Sequence, residues 1–305
     1  MRMNNFDKDV DNISLCFSGG GLRATFFHLG TFLALKDAGY TKNINEIYSV
    51  SGGSIAAAHI VLNWDKYNDT NQTELEATKE LIGAGSLDIR GRVFRRELIL
   101  LMSLPFFNQF LSFFGFPIIW PRTKIAIDQY KNLFERKKLN DLSSDGTPKL
   151  YLLATSLTKG KVAAFGREGL SIGSEKYEGE EIQIALAVAA SSAFPPLFPP
   201  ITLPAKMFGA RRDRFPVDEE LLSDGGVYDN LGCYIPMNRG SSDWIVLSDA
   251  SASIDNIYNK SFNSLVSRAV RSTNIVMERL SEETLKALHE RGKFAHVRIG
   301  NLRFA

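Results

Sequence analysis

The chain has 305 residues, 44% hydrophobic and 23% charged, enough to bury one large core or one core with an insertion. Its formal net charge of +2 is too balanced for a protein that grips nucleic acid by charge. The N-terminus, MRMNNFDKDVDNIS, lacks the unbroken apolar core of a signal peptide, and the two cysteines, Cys16 and Cys233, have no CxxC spacing and read as buried thiols in a reducing compartment.

Hydrophobic patterning predicts strands over Ile13–Phe17, Ile47–Val50, Leu150–Thr155, Lys161–Gly166, Trp244–Ser248 and His296–Ile299. Helical patterns fall at Leu22–Asp37, Ser54–Trp64, Thr73–Ile82, Ile182–Ser191 and Phe262–Leu280. The alternation predicts one α/β domain layered on a mostly parallel sheet. The chain stops at GNLRFA directly after a strand-like segment, as a fragment or a trimmed chain would.

One region breaks the pattern, a hydrophobic insertion or cap at about 86–122. It carries no charge from Leu98 to Pro121, a length able to span a bilayer. Pro105, Gly115 and Pro117 interrupt it, and Asn108 and Gln109 sit at its centre, which argues against a spanning helix. Arg92, Arg95 and Arg96 precede it, and Arg122 and Lys124 follow. Two readings stand. In one, the segment lies at a membrane surface with Phe106, Phe107, Phe110, Phe113, Phe114 and Trp120 among the acyl chains. In the other, the phenylalanines pack under the sheet as an inserted helical pair.

The first strand runs straight into three glycines, SGGGLR, and then a helix. Gly19, Gly21 and Ala24 fit G-x-G-x-x-G/A, yet the second strand ends in Val50 and Ser51 without the acidic residue a dinucleotide fold places there, and no Lys-Ser/Thr pair follows for a phosphate loop. The second strand offers a better partner. It ends in Ser49-Val50-Ser51-Gly52-Gly53, a serine at a sharp strand-to-helix turn, with Ser49 where the G-x-S-x-G pattern has its first glycine. The competing reading makes Ser51 or Ser54 a helix cap. If Ser51 is a nucleophile, Gly19, Gly20 and Gly21 supply what its oxyanion needs: side-chain-free amides at a helix N-terminus. Arg23, two residues past the glycines, either meets a lipid phosphate, steadies the loop or is solvated.

A serine needs a base. His28 and His59 lie inside predicted helices, His289 in the charged stretch KALHERGK, and His296 in the strand-like FAHVRIG. A Ser…Asp…His order using a late histidine is formally open. The other candidate is Asp224 in LLSDGGVYDNLG, a carboxylate able to take the proton itself once desolvation raises its pKa, or an ordinary Asp-Gly turn. Asp229 competes and reads as the start of a helix at DNLG.

Four segments in order, SGGGLR (18–23), SVSGGS (49–54), ASSAFPPLFPP (190–200) and SDGGVYDN (223–230), together with LLATSLTKGKVAAFG, make the chain resemble the patatin-like phospholipases, lipid acyl hydrolases with a Ser–Asp dyad. The resemblance runs from about residue 12 to about residue 235. It implies an α/β sandwich around a central sheet, Ser51 as nucleophile, Asp224 as base, Gly19–Gly21 as oxyanion loop, and no metal or organic cofactor. Ser18, Ala24 and Ser49 depart from the family's usual Asp, Gly and Gly. The stiff, apolar AFPPLFPP run reads either as the wall of an acyl pocket, with Phe194, Leu197 and Phe198 lining it, or as a rigid connector. The whole predicts a phospholipase A or lysophospholipase acting on membrane glycerolipids, cytoplasmic and peripheral to the membrane, with no nucleic-acid partner. A carboxylesterase, an acyltransferase or a non-catalytic lipid-binding protein on the same fold are the alternatives.

Overall fold

A computed structural model describes residues 12–69, 73–86, 121–142, 146–179, 181–195, 197–209, 218–240, 244–251 and 265–299. Apart from its outermost residues, the hydrophobic insertion expected at about 86–122 lies outside them.

Five parallel strands form the centre of the sheet, in the order β10 (Phe294–Arg298), β9 (Trp244–Asp249), β1 (Ile13–Phe17), β2 (Ile44–Val50), β3 (Lys149–Ser156). The expected α/β fold with a central parallel sheet is thus present, and it is extended on the β3 side. There β4 (Lys161–Gly166), β5 (Gly169–Ile172) and β6 (Glu175–Tyr177) add on antiparallel. An antiparallel pair, β7 (Ile201–Pro204) and β8 (Glu219–Asp224), joins through β8 to β3. Sequence patterning passed over β5 to β8.

The central strands are apolar nearly throughout because both faces are covered. Side chains alternate between two cores. Ile13, Leu15 and Phe17 face the larger one, shared with α1 (Leu22–Asp37), α2 (Gly52–Leu62), α3 (Trp64–Asn68), α4 (Thr73–Ser86), α5 (Pro121–Phe134) and α6 (Ile184–Ser191). Cys16 faces the smaller, with Tyr48, Val50, Leu153, Cys233, Ile235 and Leu288, closed by α8 (Tyr234–Arg239) and α9 (Leu265–Arg291). A short turn of helix, α7 (Gly226–Asp229), follows β8. Cys16 and Cys233 are both free and buried. Among the described residues no helix is long and apolar enough to cross a membrane.

Candidate active site

The site forms where β2 ends. β2 pairs with β3 as far as Val50 opposite Leu153; from Ala154 onward β8 takes over the same edge of β3, with Asp224 opposite Ala154. The chain leaving the sheet at Ser51 is therefore met by the last residue of β8. Ser51 turns the corner with φ 53° and ψ −121°, one of two non-glycine residues at positive φ among those described. Such a conformation is strained for an L-residue and persists only where its surroundings hold it. Ser51 occupies the cap position of α2 but its hydroxyl caps nothing, and the Ser54 hydroxyl bonds sideways to Ser49 and Ser191, so the helix-cap reading fails.

The elbow is held from behind. The Ser51 amide donates to Ser191 Oγ at 3.0 Å, and the Ser191 hydroxyl donates to the Leu153 carbonyl at 2.6 Å. Ser49, standing where the elbow glycine was expected, reaches Ser54 Oγ at 3.1 Å, so its hydroxyl joins the brace without disturbing the turn. Ser191 was not singled out in the sequence; 140 residues separate it from Ser51.

Asp224 is buried. Its Oδ1 accepts from the Gly226 amide at 2.7 Å, while Oδ2 is buried without a hydrogen-bond partner. Burial is the largest influence on the carboxyl and raises its pKa from 3.8 to about 6; the Gly226 amide and the nearby Ser51 hydroxyl act in the opposite sense. The serine is close enough to act on the carboxylate but closes no hydrogen bond of ordinary geometry, as is common before substrate binds. Asp229, the competing carboxylate, ends α7 instead of starting a helix. Its oxygens take the amides of Leu231 at 3.2 Å and Tyr234 at 2.6 Å, and it is spent on that turn.

The histidines are elsewhere engaged. His59 is buried against Tyr67, with its pKa lowered by desolvation to about 4, and His289 is exposed and edge-on to Phe294. His296 Nε2 pairs with Asp249 at 3.1 Å on the far strands of the sheet. His28 bonds Ser18 and Ser248.

The glycine loop offers fewer free donors than its three amides. The Gly19 amide donates to the Asn230 carbonyl at 2.9 Å, which removes it from the expected donor set. Gly20 and Gly21 donate to no described group, and Gly21 opens α1 at φ 66°. A Cβ at Gly19 would lie 2.4 Å from Asn230 Oδ1, so any larger residue there would push that side chain aside. Arg23 Nη2 donates to the Ala250 carbonyl at 2.9 Å, so of its three readings the loop-steadying one fits, and it does not line the cleft.

A cleft of about 710 Å³, its open mouth included, runs from Gly21 and Ser51 between Ile55, Tyr130 and Ala189 to Phe194, Leu197 and Phe198. All three residues picked from the proline run border the same space as the serine. The arrangement unites a strained serine, a desolvated carboxylate, two free amides at a helix N-terminus and an apolar trough.

The fold is a mostly parallel central sheet with flanking helices, and Ser51 leaves it at the end of β2 beside Asp224 at the end of β8. The chain belongs to the patatin-like phospholipase family, whose model matches residues 15–237. Human GIVD cytosolic phospholipase A2 is similar at 16% identity and TM-score 0.47, over 79% of this chain and 46% of that one. The same enzyme with methyl gamma-linolenyl fluorophosphonate and terbium chloride gives 20%, 0.41, 63% and 32%. VipD from Legionella pneumophila gives 14%, 0.36, 95% and 61%. The chain thus spans less than half the length of the human structures it matches. Comparison with curated proteins returned no match.

Proposed function

We propose that the chain is a serine acyl hydrolase releasing fatty acids from membrane glycerolipids, of the phospholipase A or lysophospholipase type. One observation carries the reading: Asp224 ends β8 in the register next to where Ser51 leaves the sheet, with a buried, unpartnered Oδ2. In this mechanism Ser51 Oγ attacks the ester carbonyl and its proton passes to Asp224 Oδ2. A pKa near 6 makes Asp224 ionised at neutral pH yet basic enough to accept it. The amides of Gly20 and Gly21, with the α1 N-terminus behind them, stabilise the oxyanion. The tetrahedral intermediate collapses, Asp224 returns the proton to the departing alcohol, and the acyl group stays on Ser51. Asp224 then takes a proton from water as it attacks the acyl-enzyme and hands it to Ser51 Oγ as the acyl–serine bond breaks, so the fatty acid leaves and both residues return to their starting state. The apolar trough bordered by Phe194, Leu197 and Phe198 receives the acyl chain. Lipid is taken from a membrane surface that the enzyme meets peripherally in the cytoplasm. The test is product analysis on mixed phospholipid vesicles. Free fatty acid with the matching lysolipid is expected from wild type and none from Ser51→Ala; equal release by both would overturn the reading.

A further inference from the structure

The loop that would hold the oxyanion is built from the most permissive residue there is, so something outside it must fix where its amides point. The first peptide plane of the loop, Ser18–Gly19, is gripped at both ends. Its N–H goes to the Asn230 carbonyl at 2.9 Å, and its C=O lies 2.9 Å from His28 Nε2. The next plane, Gly19–Gly20, is held through its carbonyl, which accepts from the Ser18 hydroxyl at 3.1 Å; Ser18 Oγ in turn accepts from the Ala250 amide at 2.8 Å. The amide left over on that second plane is the free one of Gly20.

We infer that His28 is a positioning residue for the oxyanion loop: its Nε2–H holds the Ser18 carbonyl and thereby sets the direction of the Gly20 and Gly21 amides. This rests on the acyl-hydrolase reading above.

The chemistry of the partners assigns the ring's tautomer. A carbonyl only accepts, so Nε2 carries the hydrogen. Full burial lowers the pKa of His28 to about 4, despite the opposing pull of the Ser18 carbonyl and Asp249, so the ring is neutral at working pH and Nδ1 is bare. Nδ1 accepts from the Ser248 hydroxyl at 2.7 Å, whose oxygen lies 3.0 Å from Thr31 Oγ1. The Phe17 ring stacks on the imidazole at 4.7 Å and 8°, fixing its plane. His28 is thus locked at both nitrogens and on one face, although it touches neither substrate nor Ser51. Without the Nε2–H, the Ser18–Gly19 plane loses its carbonyl anchor, and rotation about Gly19 and Gly20 meets no side-chain barrier. Donors that must find their place during the reaction stabilise an oxyanion less than donors already in place.

The experiment compares wild type, His28→Phe and His28→Gln on a soluble short-chain p-nitrophenyl ester, with circular dichroism and thermal melting as checks of fold. Phenylalanine keeps the ring volume and the stack on Phe17 but removes both hydrogen bonds. Glutamine restores an N–H near the Nε2 position. His28→Phe is expected to lower kcat about 10–100-fold with KM within about twofold, since the acyl trough is untouched, and His28→Gln to recover most of kcat. A folded His28→Phe with wild-type kcat overturns the inference, and so does a loss that glutamine fails to recover. Should His28→Phe not fold, Ser248→Ala decides. It frees Nδ1 and lets the ring turn, so a several-fold lower kcat at unchanged KM is expected, and an unchanged kcat overturns. Wild-type turnover reports separately on the underlying reading: an inactive wild type removes both, whereas an active one with unaffected variants removes only the role of His28.

Discussion

Gly52 presses so closely on Gly21 that a Cβ at position 52 would stand 2.0 Å from the Gly21 carbonyl oxygen. The two glycine motifs of the chain are therefore one contact, joining the starts of α1 and α2 with Ser51 at the junction. Gly225 is confined likewise, with 2.4 Å between its added Cβ and the Leu153 carbonyl. In each case the obstacle is backbone, which cannot swing aside. Gly52→Ala and Gly225→Ala are each expected to cost more than about 2 kcal/mol and to abolish turnover. Gly30→Ala is the control: nothing lies within 4 Å of its Cβ in mid-helix, and alanine there should stabilise by about 0.5–1 kcal/mol. Denaturant melts of the three variants decide it.

Asp224→Asn should remove activity and raise stability together. A carboxyl with its pKa raised by burial favours folding only while protonated. Its contribution is complete below about 3.8 and is lost as pH rises through about 6. Asparagine keeps an acceptor for the Gly226 amide and never ionises. The variant is expected to gain up to about 3 kcal/mol over wild type at neutral pH. That gain should shrink as pH falls below 6 and vanish near 4. Melting curves from pH 4 to 8 test this; a variant less stable than wild type at pH 7.5 would contradict the desolvation argument. In the wild type, kcat should rise with pH on a limb centred near 6 and stay there in His296→Ala.

The acyl trough predicts chain-length selection. Ala189 borders it on α6 and is almost fully buried. Ala189→Leu should lower turnover on long-chain esters about tenfold or more while leaving short-chain esters within about threefold. A series of p-nitrophenyl esters of increasing chain length measures the shift.

Much of this was legible locally and some of it was not. The helix predicted over Leu22–Asp37 and the strand over Lys161–Gly166 have the structure's bounds, because apolar periodicity and flanking glycines mark their ends. Strands β5 and β6 escaped because they are four and three residues long, with little pattern to read. In β8 the pattern misleads: Glu220 is fully buried, where the Ser156 hydroxyl donates to it at 2.7 Å. At the site, Ser51, Asp224 and the glycines announce themselves through turn chemistry. Ser191 and His28 do not, because their roles come from partners 140 and 220 residues away, brought close only by the sheet. Three side-chain-free amides before a helix read alike in the sequence; only the fold sets the Asn230 carbonyl against that of Gly19.

Residues 98–120 lie outside the described residues, so the proposal of a membrane-facing element over 98–121 rests on composition: no charge, seven large aromatics and basic flanks. A Phe110→Ser, Phe113→Ser, Phe114→Ser triple variant, checked for folding, is expected to lose flotation with anionic vesicles. Unchanged flotation would sink the interfacial reading. Wild type resistant to both high salt and alkaline carbonate would point instead to a true span.

The pairing of Ser51 with Asp224 is tested most directly by a fluorophosphonate probe followed by peptide mass spectrometry. An activated serine is required for labelling, so one adduct is expected, on Ser51, forming at a measurable rate in wild type. It should be absent from Ser51→Ala and slowed at least about 100-fold in Asp224→Asn, with His289→Ala and His296→Ala labelled at the wild-type rate. An adduct on any other serine, no adduct at all, or Asp224→Asn labelled as fast as wild type would contradict the account.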